Sequence, residues 1–153
     1  MSFVCVRQPS KLDCGVACLA TIFEHHGRSI PFSQIRKSVG VNARGSTVHG
    51  ILNAANEFGF NARAIKGTGD ALLTGFTLPC IAHVVMRGYA DHFIVIHSIS
   101  QETIIIADPA SGIIRLKYSE FVSRSRNGFW AKMRTVKYQW SGVIILAVPR
   151  VKC

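Results

Sequence analysis

The sequence predicts an α+β fold in which an N-terminal helical half packs on a C-terminal antiparallel β-sheet. Apolar residues recur at helical spacing in the first 59 residues, whereas short β-branched runs separated by turn residues follow from residue 60 onwards. Strands joined by tight turns need no crossover helices, so the sheet is expected to be antiparallel. The chain of 153 residues is expected to form a single domain, 1–153, with a mainly helical part at 1–59 and a mainly β part at 60–153.

Three helices are predicted in the first part. They are expected at residues 13–26, at residues 33–39, and from Ser46 or Thr47 to residue 58. Asp13 and Ser33 are the expected N-caps of the first two helices, and a glycine follows each of the three.

Six short strands are predicted in the second part. They are expected at residues 60–66, 79–86, 93–99, 103–107, 113–116 and 143–148, with a turn or short helix within 67–75. Residues 123–140 are basic and aromatic without a clean period. A long loop, an extra hairpin and a short helix all remain open for that stretch.

Composition excludes several classes of protein. The chain is 48% hydrophobic and 17% charged, which argues against intrinsic disorder. Its longest apolar runs are strand-sized, far below the roughly 20 residues of a membrane helix, and residues 1–6 lack the apolar core of a signal peptide. Five cysteines without a CxxC pair fit reduced thiols. A soluble cytosolic domain is therefore expected, which could be one end of a larger membrane protein.

The basic residues are unevenly distributed along the chain. The formal net charge is +10, and the last 39 residues contain nine of the eighteen basic residues but only one acid, Glu120. Such a segment is typical of proteins with an acidic partner, which could be nucleic acid, anionic lipid or an acidic peptide. A solvated basic face without a dedicated partner remains equally open, and no nucleic-acid-binding motif supports the first option.

Cys14 lies at the start of the first predicted helix. Unpaired N–H groups and the positive end of the helix dipole stabilise a thiolate there, and the thiolate is the nucleophilic form of cysteine. Gly15 is expected to leave room for a substrate beside the sulfur. The Asp13 carboxylate opposes a thiolate, so a protonated histidine is required nearby. Position alone leaves open that Cys14 merely packs, and Cys18, one turn further, is assigned to the core.

His92 and Asp108 lie on two consecutive predicted strands around a turn near Ser100. A hairpin centred there places the two residues directly opposite each other, so that the carboxylate can hold one imidazole nitrogen and direct the other at a nucleophile. A slip by one residue would separate them. Together with Cys14, the pair matches Cys-His-Asp nucleophilic catalysis. The Cys14 N–H and the upstream Gln8 amide are candidate donors for an oxyanion.

These residues form a set of motifs in a fixed order. The main motifs are Gln8, Asp13-Cys14-Gly15-x-Ala17-Cys18-Leu19, Asp91-His92-Phe93-x-Val95 and Ile106-Ala107-Asp108-Pro109-Ala110-x-Gly112. Supporting matches are Gly45-Ser46-Thr47, Leu78-Pro79-Cys80-Ile81-Ala82-His83, Glu120-Phe121 and Trp140-Ser141-Gly142-Val143. Over almost its whole length the chain closely resembles the double-glycine peptidases, the papain-like cysteine peptidase domains that open bacteriocin-exporting ABC transporters.

The resemblance implies a papain-like fold and cleavage after a Gly-Gly or Gly-Ala pair that ends the leader of a secreted peptide. By position, Cys14 would be the nucleophile, His92 the base and then the acid, Asp108 the orienting group and Gln8 the oxyanion-hole donor. Neither a metal nor a cofactor is implied, and no nucleic acid. The implied partners are a precursor peptide with a double-glycine leader and the membrane and nucleotide-binding domains of a transporter, on the cytosolic side of the membrane.

One departure from the family pattern stands out. The stretch between Glu120-Phe121 and Trp140 is longer than in the family and basic. It could face lipid headgroups, contact a transporter or widen leader specificity. Three other functions remain open: a non-catalytic leader- or cargo-docking domain, whose members typically lack the cysteine, a nucleic-acid-binding module, and a papain-like transferase that uses the same thioester.

Overall fold

The computed structural model describes residues 3–87, 90–122 and 137–151, without the side chains of residues 69 and 70. The helices are α1 (Cys14–His25), α2 (Phe32–Val39), α3 (Val48–Glu57) and α4 (Tyr118–Val122), and a 3₁₀ helix spans Gly69–Leu73. The strands are β1 (Phe60–Lys66), β2 (Cys80–Met86), β3 (Ala90–Ile99), β4 (Thr103–Asp108), β5 (Gly112–Lys117) and β6 (Tyr138–Pro149). Residues 123–136, for which no structure was assigned from sequence, lie outside the described residues.

The three predicted helices are confirmed, with differences at their starts. Thr47 caps α3 as expected, since its Oγ1 accepts a hydrogen bond from the Gly50 N–H at 3.0 Å. The prediction that Ser33 caps α2 is wrong: Pro31 holds that position, and its carbonyl accepts from Gln34 and Ile35 N–H groups. Within the described ranges, no helix is long and apolar enough to cross a membrane.

The strands form one six-stranded antiparallel sheet in the order β1-β6-β2-β3-β4-β5. The predicted helices-then-strands α+β architecture is therefore confirmed. β6 begins at Tyr138, five residues before its predicted start, because its first residues pair with the end of β2. The same strand pairs along its second half with all of β1. β6 therefore connects β1, the strand that follows the three helices in the chain, to the rest of the sheet.

Apolar side chains pack on both faces of the sheet. On one face, residues of α1 such as Leu19 and Phe23 pack with Val95 and Ile145. The opposite face carries a second cluster that the sheet and the short helix α4 cover together. Its members include Ile94, Ile96, Ile106, Phe121, Tyr138 and Trp140. Truncation of one such buried side chain to alanine typically destabilises a protein by about 2–5 kcal/mol, so the first cluster holds α1 firmly against β3.

Candidate active site

Cys14 is the first residue of α1 and is half-buried. Its thiol therefore lies beside the unpaired N–H groups at the positive end of the helix. The next residue, Gly15, has a packing role that sequence reasoning did not anticipate. A Cβ atom there would lie 2.7 Å from the Ser46 side chain and 2.9 Å from Ile51. The absence of a side chain lets α1 approach the start of α3, which fixes the helix end that carries the sulfur.

Asp13 occupies the N-cap position of α1, but its side chain does not cap the helix. The carboxylate is only 1% exposed and pairs with Arg36 of α2, with Nε–Oδ1 and Nη2–Oδ2 distances of 2.9 and 2.5 Å. Ser10 Oγ donates a further hydrogen bond at 2.8 Å. The hydrogen bonds from Arg36 lower the pKa of Asp13. Arg36 thus balances the negative charge next to Cys14, and no local motif indicates this partner.

We expect Arg36→Ala to lower the melting temperature by on the order of 5 °C, because it leaves a buried carboxylate without its cation. The same uncompensated charge should slow alkylation of Cys14 by iodoacetamide, since it disfavours a thiolate. Thermal unfolding and timed alkylation measure the two effects. Lys37→Ala, which removes an exposed cation from the same helix, is the matched control and should leave both values unchanged. Equal behaviour of the two variants would contradict this role.

β3 and β4 bring His92 and Asp108 together, although not in the predicted register. His92 Nε2 and Asp108 Oδ1 are 2.7 Å apart. The predicted direct opposition is wrong, because Val95 pairs with Ala107, two residues away from the expected partner. Continued to the end of β4, this register places Asp108 opposite Ile94. His92 is then its diagonal neighbour on the same face of the sheet, within reach of a long side chain.

Two local features set this register. A hydrogen bond of 2.9 Å from the Ser100 N–H to the Thr103 carbonyl closes the turn, so the centre of the hairpin lies beyond Ser100. At His97 the register of the ladder shifts by one residue, as in a β-bulge. Without that extra residue, Asp108 would fall on the face of the sheet opposite to His92. The bulge therefore decides whether the two side chains can meet.

Asp108 is fully buried and accepts hydrogen bonds at both carboxylate oxygens. Oδ1 accepts from His92 and, at 2.9 Å, from the Ala110 N–H, whereas Oδ2 accepts from the Tyr138 hydroxyl. Burial raises the pKa of Asp108, but the hydrogen bonds from His92, Tyr138 and Ala110 outweigh it and lower the pKa to about 2. Tyr138 lies in the stretch to which sequence reasoning assigned no structure.

His92 is 8% exposed and interacts with both proposed partners. Burial lowers its pKa, but hydrogen bonds to Asp108 and to the Cys14 thiol, together with the charges of both groups, raise the pKa to about 9. Because Nε2 faces Asp108, the Nδ1 atom remains for the thiol. The ring is therefore a cation around neutral pH, which is the state that supports a thiolate next to it.

The raised pKa of His92 predicts a pH-dependent contribution to stability. An imidazole whose pKa is about 9 in the folded chain and 6.5 when unfolded stabilises the fold fully below pH 6.5, and this contribution disappears as the pH rises through 9. The shift corresponds to about 3 kcal/mol. We therefore compare the free energies of unfolding of the wild type and His92→Gln. The difference between them should be larger at pH 6 than at pH 10, by about 3 kcal/mol. Urea denaturation measures it, and a constant difference would contradict the ion pair.

Gln8 lies beside the loop that follows Asp108. Its backbone N–H donates to the Pro109 carbonyl at 2.9 Å, and the neighbouring Arg7 donates from Nε to the same carbonyl at 3.2 Å. The Gln8 side-chain Nε2 donates to the Ser10 carbonyl at 2.8 Å, and its buried Oε1 has no hydrogen-bond partner among the described residues. The N-terminal segment is thus attached to the Asp108 loop. An oxyanion-hole role for Gln8 stays a prediction.

Most other polar groups lie apart from this cluster, although the Cys5 thiol donates a hydrogen bond to the Asp108 backbone carbonyl, with an S–O distance of 3.6 Å. Cys18 is fully buried, as expected of a core residue. His83 is bonded to Ser141 at 2.8 Å and pairs with Asp91 at 3.3 Å, whereas His97 contacts the Val4 carbonyl at 2.7 Å. Cys5, Cys14, Cys18 and Cys80, the cysteines within the described residues, are all free. In the same ranges, no group of three His, Cys, Asp or Glu side chains could hold a metal ion.

A thiol at a helix N-terminus, next to an imidazole that a buried carboxylate holds, is the chemistry of thiol-dependent hydrolases and transferases. Among these, the model of the peptidase C39 family matches residues 2–152, and the chain belongs to this family of cysteine peptidases. The resemblance to double-glycine peptidases drawn from the sequence motifs is thereby confirmed.

Similar proteins agree with this assignment. The chain is 30% identical over 148 residues to the lactococcin-G-processing and transport ATP-binding protein LagD of Lactococcus lactis, which covers 96% of this chain but 19% of LagD. It is 30% identical over 146 residues to the pediocin PA-1 transport/processing ATP-binding protein PedD of Pediococcus acidilactici, covering 95% of this chain and 18% of PedD. The chain thus spans about a fifth of the length of these relatives.

A solved structure has the same fold. The peptidase domain of Streptococcus ComA, a bifunctional ABC transporter of a quorum-sensing pathway, superposes with a TM-score of 0.82 at 27% identity, covering 97% of this chain and 100% of that domain. The papain-like α+β fold that the resemblance implied is therefore confirmed.

Proposed function

We propose that the chain is a Cys-His-Asp cysteine endopeptidase that cleaves leader peptides after a Gly-Gly or Gly-Ala pair. This cleavage serves the maturation and export of bacteriocin-like or lantibiotic-like peptides. The observation that carries the proposal is the His92 ring, which bonds Asp108 at 2.7 Å through Nε2 and lies close enough to Cys14 for that group to raise the pKa of the ring. Membership in the C39 family and the names of relatives such as LagD support this class of substrate.

Acylation of the enzyme begins from the thiolate of Cys14 and the imidazolium of His92. The sulfur attacks the carbonyl carbon of the second residue of the pair, so a C–S bond forms and the carbonyl electron pair moves onto oxygen. As the tetrahedral intermediate collapses, the C–N bond breaks and His92 gives its proton to the departing amine. The mature peptide leaves with a free N-terminus, and the leader remains as a thioester on Cys14.

The negative oxygen of the intermediate needs donors that are already in place. The Cys14 N–H at the start of α1 is one, and we assign the Gln8 amide as the second. The Gln8 amide donates to the Ser10 carbonyl without substrate, so one of its two N–H bonds is already used and fixes the orientation of the group. Removal of one such donor typically lowers kcat by about 10²–10³-fold.

Hydrolysis of the thioester returns the enzyme to its first state. His92, now neutral, accepts a proton from water as the water oxygen attacks the thioester carbonyl. The C–S bond then breaks, the leader leaves as a carboxylic acid that releases its proton to solvent, and Cys14 is again a thiolate beside a protonated ring. Asp108 stays ionised throughout, because its pKa of about 2 lies far below the working pH range.

The substrate and partners follow from the same proposal. A leader that ends in two glycines can enter a narrow cleft, since it has no side chains to clash with the walls. The precursor peptide is then the first partner, and the membrane and nucleotide-binding domains of an ABC exporter are the second, on the cytosolic side of the membrane. An anionic membrane surface could attract the basic segment of this chain, which carries much of the net charge of +10.

Cleavage of a precursor peptide tests the proposal. A synthetic peptide with a Gly-Gly leader end is incubated with the protein, and the products are identified by mass spectrometry. We expect one cut, directly after the second glycine. A matched peptide with Val-Val in place of Gly-Gly should remain intact, because side chains at these positions block the approach to Cys14. No cleavage of the first peptide by a folded protein, or equal cleavage of both, would overturn the proposal.

A further inference from the structure

We propose that Tyr138 is a positioning residue of the active site, which holds the second oxygen of Asp108 and so fixes the carboxylate that orients His92. The inference builds on the proposed function, but its first test does not depend on a leader peptide. Tyr138 was part of no motif that sequence reasoning used, and it lies at the start of β6, whereas Asp108 ends β4.

The geometry of the contact supports a direct role. Both side chains are buried: Asp108 is fully buried, and Tyr138 is 2% exposed. The Tyr138 hydroxyl donates to Oδ2, while His92 and the Ala110 N–H both bond Oδ1. The carboxylate is thus held at both ends. Because two strands, β2 and β3, separate β6 from β4 in the sheet, the contact crosses the face of the sheet rather than joining neighbouring strands.

Tyr138 is suited to act as a permanent donor. Burial and the neighbouring Asp108 raise the pKa of the phenol, so it keeps its proton throughout the pH range in which a thiolate and an imidazolium coexist. The carboxylate torsion of aspartate is soft, so a group held at one oxygen can rotate. A donor on the second oxygen fixes the plane of the carboxylate. Oδ1 therefore stays in line with Nε2 of His92, which directs Nδ1 at Cys14.

The test uses Tyr138→Phe, which removes one buried oxygen and keeps the ring in its apolar cluster. The first readout is the rate at which iodoacetamide alkylates Cys14 at pH 6, followed by mass spectrometry. The second is the steady-state cleavage of a Gly-Gly leader peptide. We expect alkylation and kcat to fall by about tenfold with KM unchanged, since a hydrogen bond to a charged group is lost from the catalytic machinery and not from a substrate contact.

A double-mutant cycle separates positioning from general packing. In an Asp108→Ala background, Tyr138→Phe should change neither rate, because the group through which Tyr138 acts is gone. All four proteins are compared at a temperature where their melting curves show them folded. Wild-type rates in Tyr138→Phe, or an equal loss in both backgrounds, would overturn the inference. Slowed alkylation in a protein that cleaves no leader would instead reject the proposed function and leave the role of Tyr138 intact.

Discussion

Cys14→Ala is expected to lower cleavage of a Gly-Gly leader peptide by about 10⁴-fold or more. The sulfur is the only protein atom in this mechanism that bonds covalently to the substrate carbonyl, and the methyl group of alanine cannot replace it. The variant should keep the wild-type fold, because Cys14 is half-buried at a helix end and its loss leaves no large cavity. The product is measured by mass spectrometry over hours, so that the very slow cleavage expected of the variant can be compared with that of the wild type.

The chain offers a matched control on the same helix. Cys18 lies one turn further along α1 and is fully buried, so Cys18→Ala removes the same atom from the core. That variant should melt at a lower temperature but retain kcat within a few fold. Binding of the intact precursor to Cys14→Ala should persist, because the variant retains every contact except the nucleophile. Substantial cleavage by Cys14→Ala would contradict the assignment of the nucleophile.

Much of the candidate active site could be predicted because its parts carry local signals. Cys14 directly precedes a glycine at the start of a helix, and β-branched runs separated by turn residues predict β3 and β4, so a hairpin had to bring His92 near Asp108. The sequence could not determine the register, because the closing turn and the bulge at His97 depend on backbone hydrogen bonds that composition does not encode. The hairpin turns later than predicted, and the bulge moves the register back by one residue, so the two differences together amount to an even number of residues. His92 and Asp108 therefore still lie on one face of the sheet.

The supporting residues could not be predicted from the sequence alone. Arg36 is one cation among eighteen, and nothing in its neighbourhood indicates that it faces Asp13, twenty-three positions away. Tyr138 reaches Asp108 across the face of the sheet, past the two strands that separate β6 from β4. Both contacts place a donor on a carboxylate that is almost completely buried, so the fold determines them through burial. Periodicity and spacing describe neighbours in the chain, and they do not show which distant residues are buried together.

His92→Ala is expected to lower kcat/KM by about 10³-fold, because the variant loses both the cation that supports the thiolate and the acid that protonates the departing amine. The measurement is the same cleavage assay, with circular dichroism to confirm folding. His83→Ala is the matched control, since His83 lies on the adjacent strand β2 and pairs with Asp91 instead of Asp108. It should retain cleavage within a few fold.

Because Asp108 acts only through the ring, its replacement in the His92→Ala background should cause no further loss. Asp108→Ala alone should lower kcat/KM by about 10²-fold, less than His92→Ala, because a ring without its carboxylate still titrates near the thiol. The double variant should equal His92→Ala, since groups that work as one unit are not additive. Additive losses would mean that Asp108 contacts the substrate or supports the fold by a route independent of His92. The three-residue mechanism would then have to be revised.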